Sequence, residues 1–82
     1  MDITAQVAQA LASARLGEGA LLVYSPHTTA GVTINEGADP DVPRDMLAHL
    51  RALVPQSPAF RHAEGNSDAH IKTSLMGPSQ LI

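Results

Sequence analysis

Cysteine is absent from this chain, which excludes disulfides, thiolate metal ligands and cysteine nucleophiles. The absence fits a cytoplasmic compartment, which is the expectation here. Tryptophan is absent too, and Tyr24 and Phe60 are the only aromatics. Basic residues are few and scattered: Arg15, Arg44, Arg51, Arg61 and Lys72. With no basic patch and a net charge of −3, nucleic acid is not an expected partner. No apolar run approaches the ~20 residues that span a bilayer, so no membrane partner is expected either. The N-terminus opens MDITAQVAQA and lacks a basic region followed by an apolar run, the pattern of a secretory signal.

What is present is an aliphatic, alanine-rich chain of 82 residues that are 44% hydrophobic. That length suits one small domain. Such a domain buries only about 60–65% of its unfolded surface, and small aliphatics bury less per residue than aromatics. The chain is therefore expected to gain stability from self-association or from further polypeptide.

The expected fold class is α+β: a single compact domain with short strands and about three helices. Ile3, Val7, Leu11 and Ala14 recur at helical spacing behind a Thr4 cap, and Gly17 and Gly19 end that helix. Leu21 to Tyr24 reads as a buried strand, and Val32 to Asn35 as a second one, possible as a hairpin with the first. Asp39-Pro40 opens a second helix whose apolar stripe is Val42, Met46, Leu50 and Leu53. Pro55 and Pro58 stop it. Asn66 or Ser67 caps a third helix reaching Met76, and Gly77-Pro78 ends it. Ser79 to Ile82 resembles the opening of a strand with nothing after it.

Three segments carry chemistry. Pro26 to Gly31 follows the first strand and contains His27, Thr28 and Thr29. Hydroxyls and backbone amides there suit phosphate oxygens, and the imidazole suits a metal or a proton. A turn held by threonine hydroxyls explains the same residues. After Asn35, the three carboxylates of Glu36, Asp39 and Asp41 form an acidic group that suits a hard cation. Alternatively Asp39 is a cap and Asp41 a dipole partner, while Glu36 has no structural excuse. The stretch from His62 to His70 gathers two imidazoles, Glu64, Asn66, Ser67 and Asp68. A helix starting at Ser67 points free amides toward that loop and favours an anion. The same stretch also reads as a capped helix with surface histidines, and it matches no standard zinc spacing. His49 reads as a boundary residue and Lys72 as the i,i+4 partner of Asp68.

Read in order, HTTAGVTINEGADPDVPRDM, LVP and HAEGNSDAHIKTSLMG form a distinctive string running through the chain. It resembles the YjbQ-like family, associated with secondary thiamine-phosphate synthase activity. Gly37 departs from the asparagine frequent after the Asn-Glu pair, and Pro43 stands where basic residues are common. The resemblance implies residues 1–82 are the interior of a YjbQ-like domain. Family strands before the start and after the end would then be missing.

The resemblance further implies a thiamine-phosphate synthase-like transferase, joining a pyrimidine diphosphate to a thiazole phosphate. A metal- or phosphate-ligand-binding protein and a phosphometabolite hydrolase are the alternatives. It implies a homotrimer, a small phosphorylated metabolite as ligand and a divalent cofactor, Mg²⁺ or Zn²⁺. The expected catalytic residues are His27, Glu36, His62 and His70. Substrate or phosphate would be held by Thr28, Thr29, Asn35, Asn66, Ser67 and Lys72. Metal ligands would come from His27, Glu36, Asp39, His62 and His70.

Overall fold

A computed structural model describes residues 1–15 and 17–82. The element order is α1 (Thr4–Ala14), β1 (Leu22–Tyr24), α2 (Asp41–Leu53), α3 (Ser67–Met76) and β2 (Ser79–Leu81). The fold class is α+β, as expected.

The cap of α1 differs in detail from the expectation. Thr4 is the first helical residue, and Asp2 satisfies it. The Asp2 carboxylate accepts from the Thr4 amide at 2.9 Å and from the Thr4 hydroxyl at 2.6 Å. The helix ends with Arg15 in the left-handed region at φ 54°, two residues before the first of the glycines expected to stop it. Ile3 just ahead of the helix and Val7 and Leu11 within it are half-buried, while Ala14, the fourth residue of the expected stripe, is exposed.

Asp39 opens α2. Its carboxylate accepts from the Asp41 amide at 2.9 Å, and its carbonyl accepts from Val42 at 3.2 Å. Pro40 precedes the helix at φ −67°, an angle its ring imposes anyway. Asp41 pairs with Arg44 one turn along. Val42, Met46 and Leu50 are half-buried, while Leu53, the fourth residue of the expected stripe, is exposed. The stripe ends on Val54, the one buried hydrophobic residue among those described, just ahead of Pro55.

The strands correct the hairpin reading. β1 pairs antiparallel with β2, in the register Leu22↔Leu81, Val23↔Gln80, Tyr24↔Ser79. Leu21 and Ile82 extend the ladder by exchanging two backbone bonds of 2.8 Å. Val32 to Asn35 forms no strand and joins no ladder among the described residues. It runs beside the end of α3 instead: the Val32 amide donates to the Gly77 carbonyl at 3.0 Å, and the Gln80 side chain donates to the Val32 carbonyl at 3.1 Å. Gly31 makes this approach possible. A Cβ there would lie 2.8 Å from Met76 Cβ and 3.2 Å from the Gly77 oxygen.

These contacts set α3 against the segment that follows β1. Gly77, at φ 87°, turns the chain out of α3 and straight into β2. One side of α3 therefore faces the residues after Tyr24.

Candidate functional site

The expected polar residues fall into three local groups. The tightest is at the start of α3. Gly65, at φ 73°, returns the chain toward the helix, and its amide donates to the His62 carbonyl at 3.1 Å. This turn brings the His62 ring to 5.4 Å from the His70 ring, edge to face at 85°. Glu64 sits 3.8 Å from His62 Nε2. Asn66 occupies the N-cap position, and its carbonyl takes the Ala69 and His70 amides at 3.0 and 3.4 Å. Its side chain makes no capping bond, and its Oδ1 is buried with no hydrogen-bond partner among the described residues. A buried acceptor left unpaired costs about 1–3 kcal/mol unless a ligand or water fills it. The amides of Ser67 and Asp68 belong to the first turn and carry the positive end of the helix dipole. Lys72 is drawn back to Asp68 at 3.2 Å, with both side chains largely buried, as the i,i+4 spacing predicts.

The second group is spent on local structure. Asn35 donates to Met46 Sδ at 3.1 Å and accepts from the Glu36 amide at 2.8 Å. Its amide thus ties the loop to α2. Asp39 is the α2 cap. Glu36 is exposed, and its carboxylate makes no side-chain bond among the described residues.

The third group lines a cleft of about 390 Å³ between the residues after β1 and the second half of α3. His27 and Thr28 stand on one wall with Tyr24 and Ser25, and Thr73 and Ser74 on the other. Thr29 is exposed beside it. The sequence reading missed Tyr24, Ser25, Thr73 and Ser74. The signal for Thr73 was present: Asn66, His70 and Thr73 recur at four and then three residues, the spacing of one helix face.

Among the described residues, no group of three or more His, Cys, Asp or Glu is placed to hold a metal ion. The metal-binding reading of His27, Glu36, Asp39, His62 and His70 is corrected on that ground. The physical reason is that Asp39 caps α2, Glu36 points to solvent, and only His62 and His70 share a neighbourhood.

Comparison with known proteins places the sequence in context. The family described as UPF0047 protein YjbQ-like matches residues 1–82. The chain is 50% identical over 82 residues to a UPF0047 protein of Methanocaldococcus jannaschii, covering 100% of this chain and 59% of that one. It is 49% identical over 83 residues to the UPF0047 protein YugU of Bacillus subtilis, covering 63% of it. A crystal structure of an uncharacterized YjbQ/UPF0047 protein from Clostridium acetobutylicum superposes with a TM-score of 0.91 at 52% identity. That match covers 100% of this chain and 64% of the other. A conserved hypothetical protein from Thermus thermophilus gives a TM-score of 0.88 at 43% identity, with 100% and 64% covered. The chain thus spans about three fifths of the length of these relatives.

These comparisons overturn the expected activity. The relatives are uncharacterised UPF0047 proteins, and none of them points to thiamine-phosphate synthesis or thiamine biosynthesis. The motif string carried the family correctly, but not the chemistry attached to it.

Proposed function

Starting from the UPF0047 YjbQ-like family, to which this chain belongs, we propose that the start of α3 holds the anionic group of a small phosphorylated metabolite. The observation that carries this reading is the meeting of His62 and His70 at the first turn of α3, with ring centroids 5.4 Å apart. Imidazole N–H groups and unpaired first-turn amides are all donors, and a phosphate oxygen accepts from each. Ser67 adds a hydroxyl at the same end. Asp68 takes up the charge of Lys72, so Lys72 acts by holding Asp68 away from the anion.

The same reading includes assembly as a homotrimer, supported by the large exposed apolar side chains of this chain. It also includes a cytoplasmic setting, supported by the lack of cysteine. No helix of the described residues is long and apolar enough to cross a membrane.

A thermal-shift panel tests the ligand class. Phosphomonoesters of small metabolites raise the unfolding midpoint, and the parent alcohols do not. A panel in which esters and alcohols behave alike removes the proposal.

A further inference from the structure

The cleft between the end of β1 and the second half of α3 has a chemistry unlike the start of that helix. Thr73 forms its floor and is 9% exposed. The Thr73 hydroxyl makes none of the side-chain hydrogen bonds found among the described residues, although its carbonyl is taken by the Gly77 amide at 2.8 Å. The hydroxyl is not sealed in the interior but lines the cleft, where it is free to donate to and accept from a bound group. Around it stand the hydroxyls of Ser25, Thr28 and Ser74. Ser74 already donates to the His70 carbonyl at 3.0 Å, which leaves its lone pairs free to accept.

The electrostatics argue against an anion here. No Lys, Arg, Asp or Glu lines the cleft, and the His27 imidazole is the one side chain of its lining that can become a cation. It adjoins the C-terminal end of α3, where the helix dipole is negative. The remaining lining is the His27 imidazole, the Gly77 backbone, the rings of Pro26 and Pro78, and Tyr24, which is 61% exposed. Hydroxyls that both give and accept, set between C–H and aromatic walls, complement a hydroxylated aliphatic ring. A volume of about 390 Å³ falls within the ~300–1,000 Å³ of small-molecule sites.

We infer that this cleft is a binding site for a neutral, hydroxyl-rich ring of the sugar class, with the Thr73 hydroxyl as its central hydrogen-bonding group. The inference stands apart from the phosphate site at the start of α3, and the two are separable in one experiment. The ¹⁵N-labelled chain is titrated with D-ribose and, separately, with inorganic phosphate. Ribose shifts the amides of Ser25, Thr28 and Thr73 saturably, and phosphate leaves those three in place. Thr73→Val abolishes the ribose shifts while the unfolding midpoint changes little, because the hydroxyl it removes makes no hydrogen bond to another described side chain. Thr73→Ser keeps the ribose shifts. Should Thr73→Val fail to fold, Ser25→Ala weakens ribose binding in its stead. The inference is overturned if ribose moves none of the three amides, if phosphate moves them in its place, or if ribose binding survives both Thr73→Val and Ser25→Ala. Failure of the phosphate reading appears elsewhere, as an absence of phosphate-induced shifts at Ser67 and Asp68.

Discussion

At the scale of single residues, several polar groups have structural tasks that spacing alone did not separate from functional ones. Asp2 is a clear case. The Thr4 hydroxyl, and after it the Thr4 amide, hold its carboxyl below the ordinary value of 3.8. A carboxyl whose folded value is depressed adds stability above its unfolded value. That stability is lost as pH falls through the folded value. The expected outcome is a loss of helix signal in far-UV circular dichroism as pH drops below about 4, with part of it assignable to α1. Asp2→Asn removes that part of the acid transition and lowers the helix signal at neutral pH. A wild-type acid profile identical to that of Asp2→Asn would remove Asp2 as a cap. Asp39 caps α2 in the same way, which the Asp-Pro pair made legible. Asn35 was not legible as a structural residue, because its partner Met46 lies eleven positions away on α2. No local pattern encodes that meeting.

Among the elements, helices were read from sequence and the strand pairing was not. The Val42, Met46, Leu50 stripe and the proline stops carry α2 within a single window of residues. β1 finds its partner in β2, more than fifty residues along the chain, and short-range alternation cannot specify such a pairing. Val32 to Asn35 has the β-branched alternation of a strand, yet Gly31 and Val32 are claimed by Met76 and Gly77. The contact at Gly31 is therefore the joint between the segment after β1 and the end of α3. Gly31→Ala places a methyl group 2.8 Å from Met76 Cβ, and overpacking of this kind costs about 1–3 kcal/mol. Urea titration should show a lower midpoint with an unchanged slope. An unchanged midpoint would mean the joint yields freely. The candidate site shows the same division. Asn66, Ser67 and His70 were legible from the helix start, whereas the cleft residues Thr73 and Ser74 gained meaning only once α3 lay against Tyr24 and Ser25.

The molecule as a whole is thin. Its principal extents are 49 × 28 × 15 Å, and the shortest is little more than the ~10–12 Å diameter of one helix. Domains bury apolar surface between packed layers, and here Val54 is the one buried hydrophobic residue among those described. Leu22 and Leu81 oppose each other in the ladder, and with Tyr24 they share one face of the ribbon. All three are more than 60% exposed. Leu47 and Leu53 on α2 and Leu75 on α3 are exposed as well. The proposed association of copies through these residues would make the thermal midpoint depend on protein concentration. The midpoint is expected to rise over a hundredfold increase in concentration. A flat midpoint, with a monomer mass by sedimentation, would contradict assembly of this chain.

Calorimetric titration with glycerol phosphate and with glycerol tests the proposed anion site at the start of α3 most directly. The account predicts saturable binding of glycerol phosphate, no heat from glycerol, and a loss of about tenfold or more in affinity for His70→Ala, the scale of one charge-assisted hydrogen bond at about 1.5–3 kcal/mol. Equal affinity in His70→Ala and the unaltered chain, or no binding of glycerol phosphate to either, would contradict it.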